Sequence, residues 1–144
     1  MKHALIVLSL ALFAGCQSGG NMAGAAAEGV TLRLSVFAPE TLAEGAEGTV
    51  DVIVANRGVG TAGNVLVDVE LAPQLSLVRE THGTGVSVLR DPRLLRYTIG
   101  ALGVGADTRM RVTVRGSGTV RVVAQEPAVG GDRLERSVSI AAAK

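Results

Sequence analysis

Aromatic residues are nearly absent from this sequence, which has two Phe, one Tyr and no Trp. The core therefore has to be aliphatic, and the abundant valine favours β-strands. The chain also has a single cysteine, which cannot form an internal disulfide. At 144 residues the chain is long enough for one domain that folds without disulfide bonds.

The sequence also lacks an excess of charge of one sign. Its formal net charge is +1, and the charge becomes zero when residues 1–15, which include Lys2, are left out. A chain without net charge is not steered electrostatically towards nucleic acid. We therefore expect no nucleic-acid partner.

The first fifteen residues have the pattern of an export signal. A short positive region at Lys2 and His3 precedes a mostly apolar run at 4–13, which is half the length of a membrane span. The run ends in the letters FAGC at 13–16, which resemble the lipobox of bacterial lipoproteins. A thiol suits this role because it is the nucleophile that accepts a diacylglyceryl group.

This resemblance implies a lipoprotein signal peptide at 1–15 and a membrane anchor of several fatty chains, including palmitate, on Cys16. Gln17 is not the aspartate associated with inner-membrane retention, so the implied location is the outer membrane, facing the periplasm. The alternative is an ordinary secretory signal cut after Ala25, which would discard Cys16. That site lies far beyond the apolar run.

Residues 16–29 are small and polar without periodicity, which predicts a flexible linker. From residue 30 to 144 apolar and polar residues alternate with a period of two, and no window has a sustained helical period. The clearest pair of strands spans 50–75, on either side of a glycine-rich turn. The pattern predicts an all-β, immunoglobulin-like antiparallel sandwich of seven to nine strands, without the Cys-Trp-Cys core of antibody domains.

The strand motifs resemble a known family, the conserved-repeat domain of unknown function that is number eleven in its series. A Val-rich strand ends in Asn56 and Gly58, and a second strand ends near Pro73. A strand that contains Tyr97 then leads into the glycine-rich run at 100–105, and a final Val/Thr strand spans 110–114. Bacterial adhesion-type domains share the first strand pair. The resemblance implies a structural or adhesive envelope module with no known active site.

The residues at 58–63 match the dinucleotide-binding pattern G-x-G-x-x-G. That fingerprint has to open a helix whose amino terminus holds the pyrophosphate. Residues 64–70 read instead as another strand. We therefore interpret the glycines as a turn and expect no cofactor and no small-molecule substrate.

The sequence also lacks the residues that catalytic and metal-binding sites usually need. Once residues 1–15 are removed, His82 is the sole histidine, and it lies in a predicted turn. A hydrolase needs a nucleophile, a base and an orienting group, and a zinc site needs more nitrogen or sulfur ligands. Asp51, Asp68 and Glu70 could bind calcium weakly, although solvated carboxylates are the simpler interpretation.

Charge is unevenly distributed along the chain. Residues 30–80 carry seven acidic groups and three arginines, whereas residues 81–125 carry seven arginines and two aspartates. Arg109, Arg111 and Arg115 share one side of a predicted strand, and Arg121 is expected on its neighbour. These four residues predict a basic stripe that contacts an anionic partner. The alternative is a solvated face opposite the acidic strands of the same domain.

The sequence predicts a lipid-anchored, noncatalytic protein of the bacterial envelope that serves as a structural or protein- or glycan-binding module. The alternative is a periplasmic carrier or chaperone-like module that accepts a strand or an apolar ligand at an open sheet edge. Neither interpretation includes an enzyme activity or a bound metal.

Overall fold

The computed structural model describes residues 29–127 and 133–144. They form ten strands: β1 (Leu32–Phe37), β2 (Thr41–Leu42), β3 (Glu47–Asn56), β4 (Ala62–Leu71), β5 (Ser76–His82), β6 (Val86–Arg90), β7 (Leu94–Leu102), β8 (Asp107–Arg115), β9 (Gly118–Gln125) and β10 (Leu134–Ala142). Within these ranges no helix is long and apolar enough to cross a membrane.

The strands form two sheets packed face to face. One sheet has four strands in the order β1-β3-β8-β5, and the other has six in the order β2-β10-β9-β4-β7-β6. Neighbouring strands are antiparallel except for the short parallel pair of β2 and β10. The predicted all-β sandwich is confirmed. The structure has ten strands rather than the expected seven to nine, and the additional one is β2, a strand of only two residues.

The core lies between the sheets and is almost wholly aliphatic. Alternate residues of the long strands are fully buried: Val50, Val52 and Val54 on β3, Val65, Val67 and Val69 on β4, Val112 and Val114 on β8, and Val120 and Val122 on β9. The intervening residues of these strands are mostly polar and face outwards. The period of two in the sequence therefore reflects sheets with one face packed on the core and the other face exposed to solvent.

The strands at 50–75 do not form the adjacent pair that the sequence suggested. β3 belongs to the four-stranded sheet and β4 to the six-stranded sheet, so residues 57–61 form an arch between sheets. The turn at 116–117 likewise carries the chain from β8 in one sheet to β9 in the other. The alternation of apolar and polar residues shows which side chains face the core. It does not show whether two successive strands pair in one sheet, as in a hairpin, or lie in two sheets, as in an arch.

The long strands run between two ends of the sandwich. The Asn56 end holds the arch at 57–61, the loop at 103–106 and Gly29. The Arg115 end holds the turns at 43–46, 72–75 and 116–117 and the last residues of β10. Residues 1–28, with the predicted signal peptide, Cys16 and nearly all of the linker, lie outside the described residues.

Candidate functional site

The three arginines of β8 lie on the outer face of the four-stranded sheet, beside acidic residues of β3. Nε of Arg111 donates to Oδ1 of Asp51 at 3.0 Å, and Nη2 of Arg115 donates to Oε1 of Glu47 at 2.9 Å. Nε of Arg109 lies 3.9 Å from the same Asp51 oxygen. The arginine side chains are about half exposed, so each pair contributes at most about 1 kcal/mol to stability.

Arg121 does not extend this row, and the expectation of a four-residue stripe is wrong in that respect. It lies on β9, in the other sheet. There its guanidinium donates to Glu135 at 2.6 and 2.9 Å and to Glu70 at 2.9 Å. These hydrogen bonds raise the pKa of Arg121, and they lower the pKa of Glu135. The turn at 116–117 leads from one sheet to the other and so separates Arg121 from the arginines of β8.

Strand order mixes the acidic first half of the domain with its basic second half. β3, with Glu47 and Asp51, lies beside β8, and β4 lies between β7 and β9. Asp68 on β4 therefore accepts two hydrogen bonds from Arg96, each of 2.7 Å. The pairing matches the alternative that the arginines face acidic strands of the same domain. A contact role for Arg109, Arg111 and Arg115 stays a prediction.

The carboxylates considered for weak calcium binding do not form one site. Asp51 lies on the four-stranded sheet, whereas Asp68 and Glu70 lie on the six-stranded sheet. Each accepts a hydrogen bond from an arginine. Within residues 29–127 and 133–144, no three His, Cys, Asp or Glu side chains are close enough together to hold a metal ion.

Asn56 is the polar centre of one end of the sandwich, and its side chain is fully buried. Its Nδ2 donates to the carbonyls of Gly60 at 2.7 Å and Leu102 at 3.1 Å. Its Oδ1 accepts from the N–H of Gly58 at 3.0 Å and of Thr31 at 3.4 Å. One amide thus joins the start of β1, the arch and the loop after β7. The sequence motif marks Asn56, but only the fold brings its partners together.

Gly58 and Gly60 belong to this arch, and Gly63 already lies in strand β4, so a strand follows the turn as the sequence predicted. A Cβ at Gly58 would lie 1.8 Å from the carbonyl oxygen of Gly29 and 2.6 Å from the nitrogen of Thr31. Only glycine lets the chain before β1 pass this close. The motif is explained by backbone packing, because no helix follows it that could hold a pyrophosphate.

His82 is the last residue of β5 and is exposed, so the prediction that it lies in a turn is wrong for His82 and holds only for the residues at 83–85 that follow it. Its ring stands edge-on to Tyr97, with 6.2 Å between centroids. The hydroxyl of the buried Tyr97 donates to Glu80 at 3.5 Å, and Glu80 also accepts from Arg90. Glu80 on β5 therefore bridges the two sheets at their open edges, and only 2% of its side chain is exposed.

A cleft of about 440 Å³ opens at the Arg115 end. The residues that line it come from the 43–46 turn, the loop before β5, the β8–β9 turn and the end of β10: Leu42, Ala43, Glu44, Gly45, Gln74, Ser76, Arg115, Gly116, Ser117, Ala142 and Ala143. Its volume falls within the range of small-ligand sites, roughly 300–1,000 Å³. Sequence reasoning missed the cleft because no local motif links segments so far apart in the chain.

One of the solved structures that resemble this chain has a TM-score above 0.5 and shares its architecture. The solution structure of CaCohA2 from Clostridium acetobutylicum has a TM-score of 0.53 at 13% identity, covering 79% of this chain and 92% of that one. A chitin-binding domain of a Pyrococcus furiosus chitinase has a TM-score of 0.49 at 17% identity, covering 69% and 96%. A cohesin module from a Clostridium perfringens family 33 glycoside hydrolase has a TM-score of 0.47 at 14% identity, covering 80% and 98%.

The chain folds as an immunoglobulin-like β-sandwich. Likeness at these identities concerns the fold alone. No protein-family model and no curated protein matches the sequence. Membership of the conserved-repeat family therefore stays a prediction, while the immunoglobulin-like fold that it implied is confirmed.

Among residues 29–127 and 133–144, nothing closes one side of the immunoglobulin-like sandwich. On the closed side β1 packs against β10, whose edge is covered in part by β2. On the open side lie the edge strands β5 and β6. A β-bulge between Leu77 and Arg79 distorts β5, whereas β6 pairs regularly with β7 and carries Leu89, which is 70% exposed. A bulge protects an edge from pairing with another chain, so β6 is the less protected of the two.

Proposed function

We propose that this protein is a lipid-anchored, noncatalytic module of the bacterial envelope that binds a partner at the cleft of the Arg115 end. The observation that carries the proposal is that Gly29, the first described residue of the domain, and the cleft lie at opposite ends of the sandwich. Gly29 accepts hydrogen bonds from the N–H groups of Val59 and Gly60 at the Asn56 end. A chain tethered through residues 16–28 would therefore present its cleft away from the membrane.

The distance between the two ends supports this orientation. β3 has ten residues and runs from one end to the other. At about 3.3 Å per residue such a strand spans roughly 30 Å. A membrane at the Asn56 end would leave the cleft in the solvent of the periplasm, where an envelope protein or glycan could reach it.

The chemistry of the cleft favours a polypeptide partner. Glu44 and Arg115 supply opposite charges, and Gln74 and Ser117 supply hydrogen-bonding groups beside small apolar residues. The lining contains no aromatic side chain on which a sugar ring could stack. We therefore place a polar segment of an envelope protein ahead of a glycan as the partner.

Lipid attachment is tested by labelling cells with a radioactive fatty acid and by treatment with globomycin, which blocks the lipoprotein signal peptidase. We expect the protein to incorporate label and to accumulate as a longer precursor under the drug. The Cys16→Ser variant should lose the label. Normal processing in the presence of globomycin would contradict the anchor.

The binding site is tested with a photocrosslinking amino acid at Ser117, in the cleft. A matched probe at Ser87 lies on the outer face of the six-stranded sheet, and both sites are in exposed or half-exposed polar positions. We expect a discrete crosslinked protein from Ser117 alone, and its loss in the Glu44→Arg variant. The same pattern at both sites would contradict a role for the cleft.

The arginine face of β8 is tested in the same experiment. Charge reversal at Arg109 and Arg111 should leave the Ser117 crosslink intact, because both residues lie outside the cleft lining. A partner that is lost only on charge reversal would favour the β8 face as the contact surface. An affinity that depends on that face should also fall as salt screens it over a Debye length of about 8 Å.

A second candidate function is strand capture at β6, which is favoured by its regular edge, the less protected of the two described edges. Val86 and Val88 of this strand are half-buried and Leu89 is exposed, so an added strand could extend both faces of the sheet. Crosslinking from position 87 but not from position 117 would support this carrier-like role.

A further inference from the structure

The Asn56 end carries two of the largely exposed aliphatic side chains among the described residues. Val59 at the top of the arch is 86% exposed, and Val104 in the loop after β7 is 56% exposed. Solvated valines gain free energy when they leave water. Both valines lie on loops of the same end, 57–61 and 103–106, and we call the two side chains the apolar tip.

The two loops are held together as one surface. Asn56 donates to the carbonyls of Gly60 in the arch and Leu102 before the second loop. The guanidinium of Arg57 donates to the carbonyl of Gly105 at 3.3 Å. The tip is therefore fixed by hydrogen bonds on both sides and needs little ordering when it meets a partner.

The chain before the domain ends against this tip. A Cβ on Gly29 would lie 2.6 Å from a methyl group of Val59. Twelve residues, 17–28, separate Gly29 from Cys16. A flexible chain of that length has an average end-to-end distance of about 20 Å, so an anchor on Cys16 would keep the tip within reach of the membrane surface.

We propose that the apolar tip of Val59 and Val104 docks onto the bilayer that carries the lipid on Cys16, with Arg57 beside the anionic headgroups. This inference rests on the proposed lipid anchor. A tether of this length gives an effective concentration on the order of millimolar, so weak contacts suffice for docking. The positive charge of Arg57 suits an anionic surface, and the nearby Asp107 at the start of β8 moderates it.

Docking fixes the orientation of the whole sandwich. A tethered domain without a contact surface would tumble above the membrane, because the tether predicted from the sequence does not fix its orientation. With the tip seated, the long strands stand away from the bilayer and the cleft at the Arg115 end is held at the greatest distance from it. The tip would thus supply the orientation that the proposed partner contact needs.

The experiment uses the full lipidated protein in vesicles of phosphatidylethanolamine and phosphatidylglycerol. Once Cys16 is acylated, a cysteine introduced at Thr61 or at Ser117 is the single free thiol and takes an environment-sensitive fluorophore. Lipids with brominated chains should quench the probe at Thr61 at least about two-fold more than the probe at Ser117. Equal quenching at both positions would overturn docking.

Variants separate docking from simple proximity. Val59→Asp with Val104→Asp should abolish the extra quenching of the Thr61 probe, because a carboxylate resists leaving water. Leu89→Asp is the matched control, since Leu89 is 70% exposed but lies on β6, and it should leave the quenching unchanged. Quenching that persists in the double variant would show proximity through the linker alone and overturn the proposal.

Flotation of the vesicles keeps this result distinct from the proposed function. Lipidated protein should float with the vesicles whether or not the tip docks. Protein that stays at the bottom of the gradient would contradict the anchor itself. Protein that floats without selective quenching would contradict only the tip.

Discussion

Single buried polar side chains fix the parts of this fold that its aliphatic core leaves undefined. The oxygen and the nitrogen of the Asn56 side-chain amide each make two hydrogen bonds to the backbone. The carboxylate of Glu80 links the two sheets, because it accepts hydrogen bonds from Tyr97 and Arg90. Valines can pack in many registers, whereas a buried amide or carboxylate is costly unless its partners are in place. Each of these residues therefore selects one arrangement.

Tyr97 gives a pH prediction at this scale. Its burial, and then the charge and hydrogen bond of Glu80, raise the pKa of Tyr97 above its ordinary value of 10.0. In the unfolded chain the phenol loses its proton near pH 10, while the folded chain keeps it. The unfolded state then binds fewer protons, so the free energy of unfolding should fall above about pH 10, by up to about 1.4 kcal/mol per pH unit.

The measurement is urea unfolding at several pH values between about 8 and 11. Tyr97→Phe should be less stable at neutral pH but should lose the part of the alkaline decline that comes from the phenol. Since Tyr97 is the sole tyrosine, its absorbance also reports ionisation directly. The same slope in both proteins would contradict the raised pKa.

At the scale of elements, the arch between β3 and β4 is the structure that the sequence pattern concealed. It moves the chain from one sheet to the other and anchors the segment before β1 through the carbonyls of Gly29 and Thr31. Gly58 in the arch and Gly63 near the start of β4 have different environments. Gly58 is packed against backbone, whereas a Cβ at Gly63 would meet nothing within 4 Å.

We expect Gly58→Ala to lower the free energy of unfolding by about 2 kcal/mol or more, because the added methyl group cannot fit without moving residues 29–31. Gly63→Ala, the matched control in the same region, should change stability by less than about 1 kcal/mol, because the site is open and its backbone is not in a left-handed conformation. Denaturant unfolding of both variants provides the comparison. Equal losses would show that the arch does not depend on close packing at Gly58.

At the scale of the whole molecule, the two sheets share one core but differ in how well their strands are held. β3, β8, β4 and β9 each pair on both sides, whereas β6 pairs only with β7 among the described strands. Global unfolding exposes the core of both sheets together, and edge strands open locally at lower cost. The Asn56 end and the Arg115 end are thus joined by the most stable strands.

Hydrogen exchange should show this order. Backbone amides of β3 and β8 that are hydrogen-bonded to the neighbouring strands should exchange only through global unfolding, and amides of β6 should exchange at least about ten-fold faster through local opening. NMR exchange at two denaturant concentrations measures both classes, because only global opening responds strongly to denaturant. Protection of β6 equal to that of β3 would indicate a covered edge.

The sequence by itself determined the fold class and the inward face of nearly every strand. Alternation at Val50, Val52 and Val54, and again at Val112 and Val114, is a local property that burial on one face requires. The turn that follows His82 and the strand that follows the arch came from the same local signals, although His82 itself lies in β5. These predictions hold because each depends on residues within one strand or turn.

Only the tertiary structure decided which strands are neighbours. A hairpin and an arch have the same alternation, so the separation of β3 from β4, and of Arg121 from the β8 arginines, could not be read from the pattern. Strand order then placed Asp51 beside Arg111, converting a segregated charge distribution into ion pairs. The cleft at the Arg115 end has the same origin, since its lining comes from four segments that only long-range packing brings together.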